Sequence, residues 1–318
     1  MAALDLRKLV RGNLSTITSL VAAVIIIIIF QATNPFFLSP AGRVTLVYAM
    51  SYFLIAACGL TMVIVMGSFD FSVVSLLKMA ALLCALYMDA VGLWVIPLAL
   101  LVCGGLGFIN GLLFARFKVP SFLATLGMSV VVEGMALYLS RGFLHVIDNP
   151  AFRSLSVTFL AGLPSIFYWA MAVWAVCIFI AFCTPFGRRI FAIGGNPVAA
   201  SLCGIDVVKT RIYVFMMSGL LAGLAGILYM AQFGGGSIEI GADMSVPLFA
   251  SIVAGGTALS GGWGGPHRTL LGVILITWTQ AGMSMLALGH DVQLVVFALI
   301  AIGMSVLTTD RGSLKIVK

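Results

Sequence analysis

Apolar runs of about 20 residues recur along this chain, each long enough to cross the roughly 30 Å hydrocarbon core of a bilayer as a helix. They are continuous stretches, without the polar/apolar alternation of an outer-membrane barrel. Of the 318 residues 62% are hydrophobic and 8% charged, against about 25% charged in a soluble domain. A water-soluble fold is excluded. The expected class is all-α: a single polytopic transmembrane domain over 1–318, embedded in the lipid bilayer.

Hydropathy predicts about ten spans, roughly 14–33, 44–66, 71–88, 92–115, 121–140, 164–183, 212–233, 246–262, 269–288 and 292–308. The basic N-terminus, Arg7-Lys8-Arg11, precedes a long apolar run with no small-x-small cleavage site, which reads as a retained first helix. With that end inside, the cytoplasmic segments hold Arg7, Lys8, Arg11, Arg116, Lys118, Arg188, Arg189, Lys209, Arg211, Arg268, Arg311, Lys315 and Lys318, thirteen of the seventeen basic residues. Arg43, Arg141 and Arg153 fall outside and Lys78 lies within a span, so the bias predicts both termini in the cytoplasm. The same bias accounts for the net charge of +7 without a nucleic-acid partner.

Catalytic signatures are sparse. His145, His267 and His290 fall in separate loops, so no metal site is expected. The chain has no Gly-Lys dipeptide and hence no P-loop, and neither G-x-S-x-G nor HExxH occurs. An enzyme is not expected, nor a bound cofactor, and any ATP-driven step requires another subunit. The six cysteines lack CxxC spacing and read as packing residues.

Polar groups at membrane depth carry more information, because each is costly there. Glu133 and Lys78 lie within spans and suit either a polar pathway or an interhelical pair. Asp70 and Ser72 lie where the second span breaks and the third begins, so either can cap the new helix or line a pathway at broken backbone. Broken helices are expected near 66–72 and in the glycine-dense 254–266. The pattern Ile64-Val65-x-Gly67-x-x-x-x-Ser72 recurs as Ile252-Val253-x-Gly255-x-x-x-x-Ser260, a hint of internal duplication. Gly107 with Gly111, and Gly219, Gly223 and Gly226, form small-xxx-small faces for close helix approach.

Two loops exceed connector length. The external one, about 141–163, contains Asp148-Asn149-Pro150 and suits either a short helix or docking surface, or plain connection. In the cytoplasmic one, about 184–211, Asn196 and Pro197 begin a short capped helix over Val198 to Leu202 that Gly204 stops, a docking element for a cytoplasmic partner.

The run Phe186-Gly187-Arg188-Arg189-x-x-Ala192-x-Gly194-Gly195-Asn196-x-x-Ala199-Ala200-x-x-x-Gly204-Ile205, followed by Ser218-Gly219-x-x-Ala222-Gly223-x-Ala225-Gly226, closely resembles the permease subunits of ribose-type ATP-binding cassette importers. Upstream the resemblance takes in Asn110-Gly111 and Val119-Pro120-Ser121-Phe122-x-Ala124-Thr125-Leu126-Gly127; downstream, Gly255-Gly256-Thr257-x-Leu259-x-Gly261-Gly262. It implies a dimerising permease of the bacterial cytoplasmic membrane, paired with a second copy or a paralogue. An external binding protein supplies the solute, and a coupling helix docks on an ATP-binding subunit. The coupling residues would be Gly187, Arg188, Arg189, Ala192, Gly194, Gly195, Asn196, Ala199, Ala200 and Gly204. Polar or aromatic groups at the predicted breaks, Asp70, Phe71, Ser72, Asn110 and Thr125, together with Glu133, are the pathway candidates. The chain departs from the family pattern at Gly67-Ser68-Phe69-Asp70, where glycines are lost, at Ala281-Gly282 and at Arg268, which suits one half of an asymmetric pair. The expected solute is a monosaccharide or a related polyol or nucleoside. An ion-coupled carrier using Glu133 or Asp70 is the alternative, and a branched-chain amino-acid permease is the neighbouring possibility.

Overall fold

The computed structural model describes residues 14–236 and 244–308. Arg7, Lys8, Arg11, Arg311, Lys315 and Lys318 lie outside the described residues. The helices, in chain order, are α1 (Leu14–Thr33), α2 (Pro40–Val65), α3 (Val73–Val91), α4 (Val95–Ala115), α5 (Ser121–Ser140), α6 (Pro150–Val157), α7 (Ser165–Cys183), α8 (Pro185–Gly195), α9 (Pro197–Leu202), α10 (Val207–Phe233), α11 (Ser245–Ala254), α12 (Pro266–Met285) and α13 (His290–Thr308). Among the described residues, six apolar stretches are long enough to cross a membrane. One of them, Val73–Ala115, holds both α3 and α4, which meet at Gly92 in a left-handed conformation.

Helices α2 and α10 form the centre and are mostly buried, whereas α1, α5 and α7 present apolar side chains outward, among them Ile28, Val130 and Phe179. Outward apolar faces of this extent are what lipid contact requires. The close approach at the centre depends on glycine. A Cβ on Gly107 of α4 would fall on the Phe215 carbonyl oxygen, and one on Gly111 would lie 2.7 Å from the Ile212 Cα of α10. Across the same seam Gly219 and Gly223 face Cys103, and further along Gly226 faces the Leu77 carbonyl of α3. The small-residue faces read from the sequence are therefore opposite sides of one interface.

The corners follow local chemistry. Ser39 Oγ accepts from the Gly42 amide at 3.1 Å with Pro40 at the first helical position, and Thr184 Oγ1 accepts from the Gly187 amide at 3.2 Å with Pro185 there. In both corners the glycine leaves room for carbonyls of the preceding segment, Phe36 and Phe37 in the first, Ile180 and Ala181 in the second. The stretches Ser39-Pro40-Ala41-Gly42-Arg43 and Thr184-Pro185-Phe186-Gly187-Arg188 are thus one device used twice. Asp206 caps α10 by accepting from the Lys209 amide at 3.0 Å, which holds its carboxyl below the usual range. The contribution of this exposed cap is present at neutral pH and is lost as pH falls through that lowered value.

Both predicted breaks exist, and both begin with the same helix stop. Gly67 (φ +79) donates to the Ile64 carbonyl at 2.8 Å while Ser68 donates to Val63 at 3.1 Å. Gly256 (φ +88) donates to Val253 at 2.8 Å while Thr257 donates to Ile252 at 3.2 Å. These are paired Schellman stops, each needing a glycine in the left-handed region. The sequence pattern paired Gly67 with Gly255; the geometry pairs it with Gly256, one residue later. The eighth predicted span, 246–262, accordingly ends as helix at Ala254.

Candidate functional site

Residues 68–72 form the first break, where side chains of α5 satisfy two of the backbone amides and α4 and α10 bond to its polar side chains. Phe69 N–H donates to Ser121 Oγ (3.2 Å) and Phe71 N–H to Thr125 Oγ1 (3.1 Å), both on α5. On the opposite side Asp70 Oδ1 accepts from the Ser72 amide (3.0 Å) and hydroxyl (2.6 Å), and Oδ2 accepts from Ser218 Oγ of α10 (2.8 Å). Asn110 of α4 donates through Nδ2 to Ser72 Oγ at 2.8 Å, so donation runs from Asn110 to Ser72 and from Ser72 to the acceptor Asp70. Asp70, Ser72, Asn110 and Thr125 are each fully buried. Ser72 occupies the cap position of α3 without accepting a helix amide; its hydroxyl hydrogen goes to Asp70. Capping by the Ser72 side chain is therefore corrected, and Asp70 takes the Ser72 amide.

Side chains alternate along the break. Phe69 and Phe71 are half-buried on the face away from Asp70 and meet Phe249 of α11, with ring centroids 4.8 Å apart for Phe71 and Phe249 and 6.3 Å for Phe69 and Phe249. Phe249 had no sequence signal. Ser218 was visible as the start of a glycine-rich face, but its bond to Asp70 spans 148 positions. Beyond this cluster Lys78 Nζ lies 3.3 Å from Glu133 Oε1, joining α3 to α5 as an interhelical pair. Glu133 is half exposed, whereas Lys78 is largely covered.

At the end of the bundle where both breaks begin, α8 packs beside them and leads into α9, which rests on α8 and α10. Ile190 and Ile193 are buried, with Arg188, Arg189 and Ala192 facing out. Asn196 Oδ1 accepts from the amides of Val198 (3.0 Å) and Ala199 (3.1 Å), and Gly204 (φ +80) ends the turn, as the sequence predicted. Only Ala200 of α9 is buried; Val198 and Leu202 are 68% and 85% exposed. Asn196→Ala is expected to cost about 1 kcal/mol of local helix stability, read as faster hydrogen exchange at Val198 and Ala199, with Asn196→Asp retaining protection.

At the far end, Asn149 caps α6 through the Phe152 amide (3.1 Å), and His145–Val146 pairs antiparallel with Gly235–Gly236. The loop over 141–163 therefore carries a short helix tied to the end of α10. Among the described residues no cluster of His, Cys, Asp or Glu could hold a metal ion. Cys58, Cys84, Cys103 and Cys177 are buried, whereas Cys183 and Cys203 are exposed, so only the first four fit the packing role.

An all-helical bundle with an apolar exterior, two interrupted helices and a short capped helix at one end defines a polytopic membrane protein. Residues 42–305 match the family described as the branched-chain amino acid transport system / permease component, and the chain belongs to that family. It is an integral protein of the bacterial cytoplasmic membrane. It is similar to the probable ABC transporter permease protein YphD of Escherichia coli (35% identity over 97% of this chain and 95% of that one). It is also similar to the ribose import permease RbsC of Haemophilus influenzae (31%, 89% of either chain). The L-arabinose permease AraH of Escherichia coli shares 30% identity over 77% of this chain and 75% of its own length. No solved structure matches.

Proposed function

We propose that this chain is one of two membrane subunits of an ATP-binding cassette importer that moves a monosaccharide, or a related polyol or nucleoside, into the cytoplasm. The protruding, Asn-capped α9 within a basic loop carries the reading, because its two large exposed apolar side chains have no role in an isolated bundle. On this reading the chain makes ten crossings with both termini inside, as the Lys and Arg bias favours. Helices α8 and α9 face the cytoplasm. Gly187, Arg188, Arg189, Ala192, Gly194, Gly195, Asn196, Ala199, Ala200 and Gly204 build the seat for an ATP-binding subunit that does the hydrolysis. The solute passes beside the first break, where Phe71 is accessible and Asp70, Ser72, Asn110 and Thr125 hold the backbone behind it, and continues past the half-exposed Glu133 of α5. The partner permease is a second copy or a paralogue, and the segment 141–163 faces an external binding protein. Its similarity to ribose and L-arabinose permeases supports a sugar over a branched-chain amino acid.

Uptake of labelled sugars by cells expressing the full transporter tests this. Uptake that stops on ATP depletion and survives an uncoupler is expected. Uptake that collapses with the uncoupler while ATP is maintained would establish an ion-coupled carrier instead.

A further inference from the structure

Three glycine-bearing turns meet at one point, and they belong to the three elements the proposed function must connect. Gly194, at the end of α8, is two residues before the Asn196 cap of α9. Val65 and Gly67 close α2 at the first break, and Gly261 and Gly262 lie in the second. The two breaks are joined directly, since Gly262 N–H donates to the Val65 carbonyl at 2.8 Å. A Cβ on Gly194 would fall on that same Val65 oxygen and 2.6 Å from the Gly262 nitrogen. A Cβ on Gly261 would lie 2.7 Å from Gly67 N and 3.1 Å from Gly194 O. Backbone thus rests on backbone from three directions, with no side chain between.

We infer that this junction is the mechanical link of the importer: Gly194 transmits displacement of α8 and α9 to both interrupted helices at once, and the three turns move as a unit. The inference rests on the reading of α9 as the seat of the ATP-binding subunit. A packed side chain could absorb a shift by changing rotamer, but abutting main chains have no such freedom, and close-packed interiors transmit strain. Displacement at Val65 arrives five residues later at Asp70, and at Phe69 and Phe71 against Phe249. Gly194 is accordingly a positioning residue, acting on the pathway through Val65 and Gly262.

A glycine outside the seat and the pathway provides the control. Gly105 of α4 is exposed, and a Cβ there would meet nothing within 4 Å. In the full transporter, reconstituted with its ATP-binding subunit and binding protein, Gly194→Ala is expected to assemble and hydrolyse ATP while the solute moved per ATP falls by about tenfold or more, with Gly105→Ala within about twofold of wild type. That ratio separates lost coupling from lost folding. Independently of any variant, hydrogen exchange at the Gly262 amide of the wild-type complex should be equally slow with and without bound nucleotide. Either an unchanged ratio in Gly194→Ala, or a Gly262 amide exposed in one nucleotide state, overturns the inference and leaves the permease reading standing. A wild-type chain that transports with no ATP-binding subunit removes that reading and the inference with it.

Discussion

Asp70→Ala is expected to destabilise the protein by about 3 kcal/mol or more, and to abolish transport with it. The buried carboxylate receives three hydrogen bonds, from the Ser72 amide, the Ser72 hydroxyl and the Ser218 hydroxyl. Hydroxyls can rotate to new acceptors, but the Ser72 amide cannot, and in a bilayer no water replaces the lost partner. The substitution also leaves a cavity between the break, α4 and α10. Asp70→Asn behaves differently. Its Oδ1 keeps both Ser72 donors and its amide donates to Ser218 Oγ, so the variant is expected to fold with a loss of about 1 kcal/mol. Thermal unfolding in detergent, followed by size-exclusion chromatography, reads both. An Asp70→Ala protein as stable as wild type would show that the break is held by something other than this carboxylate.

The second large effect lies at the seam between α4 and α10. Gly107→Leu places a branched side chain where a single Cβ already meets the Phe215 carbonyl and lies 3.2 Å from the Met216 and Gly219 Cα atoms. Overpacking of this kind costs about 1–3 kcal/mol for inserted methylenes, and here the obstacle is main chain on an adjacent helix, so the upper end or beyond is expected. On the same helix a Cβ on the exposed Gly105 meets nothing within 4 Å, so Gly105→Leu should leave the unfolding temperature near wild type. Equal stability of the two variants would mean that α4 and α10 are free to separate.

Much of this architecture was legible because its causes are local. Apolar length marked the helices, Asn196 followed by Pro197 marked α9, and a glycine-dense stretch marked the break after Ala254. The glycine faces at 107–111 and 219–226 were visible too, although which helix each would meet was not. The misaligned repeat has a physical explanation. Side-chain identity matched Gly67 to Gly255, but a Schellman stop is defined by which residue takes the left-handed conformation, and Gly255-Gly256 offered two choices. Likewise nothing local distinguishes Gly194 from Gly195; only the approach of Val65 and Gly262 does. Ser218, Ser121 and Phe249 entered the site through contacts between segments far apart in the chain, which no single-segment pattern encodes.

The central claim is that α9 seats an ATP-binding subunit. Val198 and Leu202 are outward-facing and remote from the helical core, so Val198→Asp with Leu202→Asp should leave folding intact. The most direct measurement is to purify the complex through a tag on this chain, with and without that pair of substitutions, and quantify the ATP-binding subunit that accompanies it. Stoichiometric recovery with the wild-type chain, lost in the doubly substituted chain at an unchanged unfolding temperature, is the predicted result. A wild-type chain that purifies alone and still transports in vesicles without ATP would contradict it.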